Sequence, residues 1–235
     1  MVFEQNCRQC AVRGSALCAA LSDAQLLDLA AQGMQRRLAR GEILVRAGDT
    51  AVPCANIQRG LMKICQTNPA GQEVIVGLLW PGDFVGAPFL AAAEAGHDVV
   101  ALTPVTLCQF PARVMERALA DHPAMERELL SRTMAELARL RARLGSLARA
   151  TALARVAGFL IETAQRSGSE DGETITVIDL PLSRGEMADL LGLTIETVSR
   201  QMSRLKQAGL IGLPGGRRVV IQDPDALAEA AEDLI

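Results

Sequence analysis

At 235 residues the chain is long enough for two ordinary domains, and its 49% hydrophobic and 22% charged residues are typical of proteins that bury a core. Its apolar runs are far shorter than the about 20 residues of a membrane-spanning helix, and its first residues lack a basic stretch followed by an apolar one, so we expect a cytoplasmic protein. The formal net charge of −3 argues against a protein that coats nucleic acid nonspecifically.

Cysteines are concentrated at the start of the chain. Residues 1–20 contain Cys7, Cys10 and Cys18, which are three of the six cysteines. In a reducing compartment, cysteines are free thiols or metal ligands more often than structural disulfides. A short helix follows this segment, and Ser22 is a suitable N-cap for it.

Short apolar runs separated by turn signals occupy residues 35–111. Turn residues such as Arg40-Gly41, Arg59-Gly60 and Pro81-Gly82-Asp83 recur between the runs, which is typical of a small β-barrel or jelly-roll. The clearest of these predicted strands are Ile43–Val45, Leu61–Ile64, Val74–Leu79 and Val99–Leu102.

The segment 112–147 predicts a long helix with one narrow apolar stripe. Only Pro123 interrupts it before Gly145, and arginines and glutamates fill its other faces. Such a helix, next to a domain that has its own core, usually pairs with a second copy of itself, although it could also lie over the barrel. The predicted dimer interface consists of Leu130, Met134, Leu137, Leu140 and Leu144.

A helix-turn-helix is predicted near the end of the chain. Ser183 and Glu186 have the spacing of a capping box, and the helix that they begin ends at Gly192, which can adopt the positive φ of a sharp turn. Thr194 caps a second helix over 195–208 that buries Val198, Met202 and Leu205. A strand over 175–180 precedes this unit.

A basic hairpin follows the second helix. Its strands cover 210–213 and 217–221, and Arg217 and Arg218 lie at its tip, where they can reach DNA phosphates. From Ser183 to Arg218 there are six basic and three acidic residues, so this window carries +3 in an acidic chain. Local positive charge of this kind is typical of a site-specific DNA-binding protein.

The exposed face of the second helix indicates how DNA would be contacted. Residues near the start of a recognition helix reach base edges in the major groove, where arginine pairs with guanine and glutamate accepts from cytosine. Residues farther along, and those flanking the helix start, contact the backbone. The predicted backbone contacts are Thr194, Thr197, Arg204, Lys206, Arg217 and Arg218.

The run Leu193–Arg200 resembles the recognition helix of the CRP/FNR superfamily, and the resemblance extends from about Leu21 to Ile221. Its Glu196-x-x-Ser199-Arg200 pattern is similar to that of the FNR branch. The cyclic-AMP receptor branch usually has glycine in place of Ser199 and arginine in place of Ile195. The resemblance implies a homodimer, palindromic DNA with TTGAT-like half-sites read by Glu196, Ser199 and Arg200, and RNA polymerase as a partner.

The sensor region departs from the cyclic-nucleotide pattern of that superfamily. Residues 81–86 resemble its glycine-containing loop, but the stretch where nucleotide binders have an arginine that grips the phosphate is 97–102 here. It contains Asp98 and no arginine, and a carboxylate repels a phosphate. We therefore expect no cyclic nucleotide as ligand.

The cysteines predict a different cofactor. Cys7-x2-Cys10-x7-Cys18 places three thiols on a short segment, and thiolates are the ligands of iron–sulfur clusters. Cys108, Cys54 and Cys65 are candidates for a fourth ligand. The last two lie in strand-like runs and are more simply explained as small buried side chains. The resemblance to FNR-type oxygen sensors implies Cys108, and with it a [4Fe–4S] cluster. Four cysteines are equally suited to zinc, and thiols can also form regulatory disulfides.

Together these features predict an α+β protein in four parts: a cysteine-rich segment (1–20), a β-roll sensor domain (21–111), a dimerisation helix (112–147) and a winged helix-turn-helix domain (148–235). The predicted function is that of a dimeric transcription regulator that responds to oxygen or redox state. The alternative is the same regulator responding to nitric oxide, a haem ligand, thiol oxidation or zinc. An enzyme is disfavoured, because no His/Asp/Glu group has catalytic spacing and no glycine-rich phosphate loop is present.

Overall fold

The computed structural model describes residues 7, 9–50, 52–68, 71, 73–86, 94–167 and 176–232. The chain divides into two compact units, residues 1–136 and 137–235. None of the helices among the described residues is long and apolar enough to cross a bilayer.

The N-terminal unit is built on two four-stranded antiparallel sheets. The first has the order β1 (Met34–Leu38), β8 (Val105–Phe110), β3 (Cys54–Arg59), β6 (Phe84–Val85), and the second has the order β2 (Ile43–Val45), β7 (Asp98–Ala101), β4 (Met62–Thr67), β5 (Glu73–Leu79). Between the sheets lies an apolar core that includes Ile57, Met62 and Leu107, each fully buried. The predicted β-roll is therefore confirmed, although the sequence analysis did not specify β1, β3, β6 or β8.

A second core forms outside the first sheet. Here the N-terminal segment, the short 3-10 helix Leu17–Ala20, helix α1 (Asp23–Ala30) and helix α2 (Ala112–Asp121) pack on strands β3 and β8. Helix α1 begins with a capping box in which the Ser22 hydroxyl accepts from the N–H of Gln25 and the Gln25 side chain accepts from the N–H of Ser22, as expected of an N-cap. This second core contains Cys7, Cys54 and Cys108.

Strand β3 contains a β-bulge that affects which side chains lie on the outer face of the sheet. Ile57 pairs with Leu107, but the next pair along is Arg59 with Thr106, so Gln58 is an extra residue in the strand. Side chains alternate between faces along a strand, and a bulge places two consecutive side chains on one face. Gln58 and Arg59 therefore both lie on the outer face, on the same side as Asn56.

The segment predicted as one helix over 112–147 forms two helices, α2 (Ala112–Asp121) and α3 (Pro123–Arg149). His122 leaves the helical region with φ −128° and ψ 83°. The physical reason is Pro123, because its ring excludes the preceding residue from the α conformation and it has no N–H to donate. Proline at the first position of α3 is favourable, since the N–H that it lacks would have no partner there.

The C-terminal unit consists of helices packed beside a three-stranded antiparallel sheet. Helix α4 (Ala152–Ser167) contacts α6 (Ile195–Gln207) and α7 (Pro224–Ala231), and α5 (Arg184–Leu191) contacts α6. The sheet has the order β10 (Ile211–Gly215), β11 (Arg218–Ile221), β9 (Thr176–Asp179). The predicted strand over 175–180 corresponds to β9, and residue 175 lies outside the described residues.

The helix-turn-helix forms through the local interactions that the sequence predicts. Ser183 accepts from the N–H of Glu186 at 3.2 Å, and the Glu186 carboxylate accepts from the N–H of Ser183 at 2.7 Å, which completes the capping box. Helix α5 ends at Gly192, which has a left-handed conformation with φ +62°. The Thr194 hydroxyl caps α6, whose Val198, Met202 and Leu205 are buried as predicted.

Candidate cysteine site and DNA-binding surface

Four cysteines line one cavity in the N-terminal unit. Cys7, Cys10 and Cys18 come from the N-terminal segment, and Cys108 comes from strand β8. The rest of the lining is mostly apolar and includes Leu26, Leu29 and Phe110. The structure thus brings together the four residues predicted as ligands, although they are separated by as many as 101 positions in the sequence.

Two polar side chains complete the cavity, and the sequence analysis did not identify either of them. Gln58 Nε2 donates to Cys108 Sγ at 2.9 Å and lies 3.8 Å from Cys10 Sγ. The buried Asn56 has a side-chain oxygen with no hydrogen-bond partner. Both residues lie on strand β3, and no sequence motif marks them.

Burial changes the acid–base properties of these thiols. It is the main reason that the pKa of Cys108 is raised, and the nearby Cys7, Cys10 and Cys18 raise it further. Burial also raises the pKa of Cys18, partly offset by the Arg13 guanidinium. Both side chains are thus neutral thiols near pH 7, and binding of a metal would release their protons.

The donor set fits an iron–sulfur cluster in its chemistry, since four cysteine sulfurs are what a [4Fe–4S] cluster requires. The cavity measures about 20 Å³, close to the volume that one water needs, so the segment that carries Cys7, Cys10 and Cys18 would have to move outward to admit a cluster. A zinc ion would hold its four sulfurs about 3.8 Å apart, given Zn–S distances of about 2.3 Å. Among the described residues, no three His, Cys, Asp or Glu side chains form a site for one metal ion.

The two remaining cysteines do not line this cavity. Cys54 and Cys65 are fully buried in strands β3 and β4, as expected of small core side chains. Burial raises the pKa of each to about 12, with the Glu116 carboxylate adding to the effect at Cys54.

Two arginines hold the cysteine-bearing segment in place. Arg13 donates to the carbonyl oxygens of Cys18 and Leu21, both at 2.6 Å. Arg132 on helix α3 donates to the carbonyl of Ser15 at 2.7 Å and to that of Gly82 at 3.2 Å, and its guanidinium pairs with Glu128 at 2.8 Å. The segment is thus linked directly to the start of the long helix, a contact that the sequence analysis did not anticipate.

Gly82 allows the segment to approach this closely. It has φ +92°, and a Cβ at this position would lie 2.9 Å from Ser15 Oγ and 3.0 Å from Ser15 O. The loop 81–86, which resembles the nucleotide-binding loop, therefore receives the cysteine-bearing segment in this chain. In the stretch 97–102, the Asp98 carboxylate accepts from the N–H of Ala47 at 2.7 Å.

The five apolar residues predicted to form the dimer interface are all exposed on helix α3. The exposed fraction is 62% for Leu130, 56% for Met134, 38% for Leu137, 41% for Leu140 and 66% for Leu144. Large apolar side chains repeated along one helix face are unfavourable in water unless another surface covers them.

The recognition helix α6 presents the residues predicted to contact bases. Glu196, Ser199 and Arg200 are exposed within its first two turns, and Arg204 and Lys206 are exposed toward its end. Thr197 is half-buried, and its hydroxyl accepts from Arg200 Nη2 at 3.3 Å and from the Thr194 hydroxyl at 3.1 Å. The backbone N–H of Glu196 and the Thr194 side chain lower the pKa of the Glu196 carboxyl, which therefore stays ionised as a hydrogen-bond acceptor.

The wing arginines are exposed and also make contacts within the unit. Arg217 donates to the carbonyl of Pro181 at 3.2 Å, and Arg218 pairs with Asp179 across the β9–β11 pair at 3.3 Å. The Arg218–Asp179 ion pair is at the surface, where such pairs are worth about 0–1 kcal/mol, so Arg218 can exchange this partner for another.

Comparisons with known proteins agree with this architecture. Residues 35–122 match the family model of the cyclic nucleotide-binding domain, and residues 154–230 match that of the Crp-like helix-turn-helix domain. Among solved structures, the chain is similar to FixK2 from Bradyrhizobium japonicum, with a TM-score of 0.74 and 25% identity over 84% of this chain and 96% of that one.

Curated relatives are similar along nearly the whole chain. A probable transcriptional activator of Rhizobium leguminosarum bv. viciae is 38% identical over 94% of this chain and 91% of its own length. The transcriptional activator protein FnrL of Cereibacter sphaeroides is 36% identical over 97% of this chain and 92% of its own length. The chain therefore belongs to the CRP/FNR family of DNA-binding transcription regulators and is of the FNR/FixK type.

Proposed function

We propose that this regulator senses oxygen through a [4Fe–4S] cluster held by Cys7, Cys10, Cys18 and Cys108, and that it binds TTGAT-like palindromes as a homodimer. The observation that carries the proposal is the single apolar cavity lined by all four thiols. Three of them lie on a segment that belongs to neither sheet, so we expect their positions to adjust to a bound group. Cys108 lies on a central strand of its sheet and provides a fixed point.

The cluster, when bound, would be the group that molecular oxygen oxidises and degrades. The chain supplies the connection to the rest of the molecule. Ligation would link the cysteine-bearing segment to Cys108 on the sheet, and the same segment contacts Arg132 on helix α3 through the carbonyl of Ser15. Leu129, one turn before Arg132, packs on the same apolar core as Cys7 and Cys108. Release of the segment would remove contacts from both residues and so alter the start of the long helix.

The exposed stripe on helix α3 is the proposed dimer interface. Pairing of two such helices would cover the five apolar side chains and bring two recognition helices onto one DNA molecule. Related dimers with a helix-turn-helix read half-sites about one helical turn apart, which agrees with a palindromic operator. The stripe contains no acidic residue, so we expect the dimer to persist without a cluster.

The proposed operator contacts follow from the exposed start of helix α6. Arg200 would pair with guanine, Glu196 would accept from a cytosine amine, and Ser199 would contact the adjacent base. Thr194, Thr197, Arg204, Lys206, Arg217 and Arg218 would contact phosphates. RNA polymerase is the proposed protein partner, since the relatives reported above are named transcriptional activators.

Anaerobic purification tests the cofactor directly. The wild-type protein should be brown, should contain about four iron and four sulfide per chain, and should lose its visible absorption in air. Cys108→Ala should fail to retain the cluster. Cys65→Ala, which removes an equally buried thiol outside the cavity, is the matched control and should keep the colour.

The same preparations distinguish the alternative signals. Colourless protein loaded with zinc would contradict the cluster proposal, as would a Cys108→Ala variant that retains wild-type iron. If the visible absorption is lost on exposure to nitric oxide but not to air, the signal would be nitric oxide instead of oxygen. The proposed cysteine ligands would remain the same. A disulfide among the four cysteines in oxidised, metal-free protein would instead indicate a thiol switch.

A further inference from the structure

Two consecutive hydrogen bonds connect Gln35, through Gln58, to the sulfur of Cys108. Gln58, only 9% exposed, donates from Nε2 to Cys108 Sγ at 2.9 Å. Its side-chain oxygen accepts from Nε2 of Gln35 at 2.8 Å. Because Gln35 donates to this oxygen, the amide group of Gln58 is oriented with its N–H toward the sulfur.

The three residues lie on three neighbouring strands. Gln35 pairs with Cys108 in the β1–β8 register, and Gln58 follows the β3 residues that pair with β8. Gln58 lies on the same face of the sheet as Cys108 and next to the β-bulge of β3. All three positions belong to one hydrogen-bonded sheet, of which the N-terminal segment is not a part.

Gln58 also lies between two cavities. On one side is the cavity with the four thiols, and on the other is a polar cavity of about 220 Å³. The polar cavity is lined by Arg37, Arg59 and Thr106 in addition to Gln35, Gln58 and Cys10. The Gln58 amide therefore helps to separate the Cys108 sulfur from this much larger, polar space.

We propose that Gln58 is a positioning residue for the cluster, that its N–H stabilises Cys108 as a ligand, and that Gln35 orients Gln58 for this role. The inference rests on the proposed function. A hydrogen bond to a ligand sulfur withdraws electron density from the cluster and raises its reduction potential. It also fixes the sulfur on the sheet and keeps it away from the polar cavity. The contact therefore sets how readily oxygen destroys the cluster.

The test compares variants that were purified without oxygen. Gln58→Met keeps the length of the side chain and removes the amide, and Gln58→Glu places a carboxylate at the same position. Both should bleach in air faster than the wild type, by about tenfold if the contact matters as much as typical partners of metal ligands do. Gln35→Met should change the rate in the same direction and by less. The midpoint potential of the cluster should be lower in all three variants than in the wild type, and the decrease should be smallest in Gln35→Met.

Gln109→Met is the matched control. Gln109 is the next residue after Cys108, and its side chain bonds to Arg36 instead of to a sulfur. This variant should bleach at the wild-type rate and keep the wild-type potential. If Gln58→Met does not fold, Gln35→Met provides the same test without a change in strand β3.

The outcomes distinguish this inference from the function on which it rests. A wild-type protein that takes up no cluster refutes the proposed function. A wild-type protein that takes it up, together with a Gln58→Met variant of unchanged bleaching rate and potential, overturns the role of Gln58 alone. Equal acceleration in Gln109→Met would also overturn it, since the effect would then be a general weakening of β8.

Discussion

The cysteine side chains of this regulator differ widely in solvent accessibility. Cys54 and Cys65 are fully buried, whereas Cys10 is only partly buried at the edge of its cavity. A thiol reacts with alkylating reagents as the thiolate, so both its pKa and its accessibility determine the rate. The six cysteines of one chain are therefore chemically distinguishable.

This difference predicts a labelling pattern. In metal-free protein at about pH 8, iodoacetamide should modify Cys10 well before Cys54 or Cys65, because burial raises the pKa of the latter two to about 12. Mass spectrometry of digested, quenched samples gives the extent at each site. Rapid modification of Cys54 in folded protein would contradict the buried position that the structure assigns to it.

Arg200 carries the second prediction at this scale. Arg200→Ala should weaken binding to a TTGAT-like palindrome by about 1–3 kcal/mol and relax the preference at one base pair, because the proposed bidentate contact to guanine would be lost. Fluorescence anisotropy with matched and substituted duplexes measures both effects. Arg117→Ala removes the same charge from an exposed position in the N-terminal unit and should bind DNA as the wild type does.

At the scale of elements, helix ends and turns are determined mainly by local chemistry. The turn between α5 and α6 depends on Gly192, whose left-handed conformation is unfavourable for residues with a side chain. Gly158, in contrast, lies inside helix α4. Among the described residues, a Cβ at this position would come within 4 Å of the Cβ of Ala231 alone, at 3.9 Å.

These two glycines predict opposite effects of one substitution. Gly192→Ala should lower the free energy of unfolding by about 1 kcal/mol, because alanine is strained at φ +62°. Gly158→Ala should raise it by about 0.5–1 kcal/mol, because alanine favours the helix. Urea denaturation followed by circular dichroism measures both. A stabilising Gly192→Ala would show that the turn adopts another conformation in solution.

Local chemistry also explains which elements the sequence could predict. The capping box at Ser183, the turn at Gly192 and the cap at Thr194 are short-range signals, so the helix-turn-helix was predicted nearly to the residue. The break at His122 has an equally local cause in Pro123. The prediction of one helix over 112–147 was wrong because it gave the continuing apolar stripe more weight than the steric effect of proline.

The cysteine site depends on contacts between residues far apart in the sequence, unlike the helix-turn-helix. Spacing identified Cys7, Cys10 and Cys18, and family resemblance implied Cys108, while the strand-like runs around Cys54 and Cys65 argued against those two. Gln58 could not be predicted, because its contact with Cys108 exists only once β3 and β8 are paired. The contacts of Arg132 could not be predicted for a similar reason. Its partners are the backbone carbonyls of Ser15 and Gly82, and no sequence motif marks a backbone group as the partner of a distant side chain.

At the scale of the whole molecule, the proposed pairing of two α3 helices would determine how the DNA-binding surface is used. We predict that Leu140→Asp shifts the protein toward the monomer, because pairing would bring two buried carboxylates together at the centre of the stripe. Sedimentation velocity should show the shift, and affinity for a full palindrome should fall at least tenfold.

The control for this prediction places the same charge on the other side of the helix. Each residue advances an α-helix by about 100°, so Ala135 lies nearly opposite the stripe. Ala135→Asp, at an exposed position, should remain dimeric. Equal dissociation of both variants would point to a different interface.

The extra residue in β3 makes both faces of the first sheet sensitive to the length of this strand. Deletion of Gln58 would restore regular pairing with β8 but would remove the amide beside Cys108. If the bulge were lost with Gln58 retained, regular alternation would direct the Arg59 guanidinium toward the apolar space between the sheets. Length variation among natural or engineered relatives should therefore be tolerated in the neighbouring turns far better than at this irregular point of the strand.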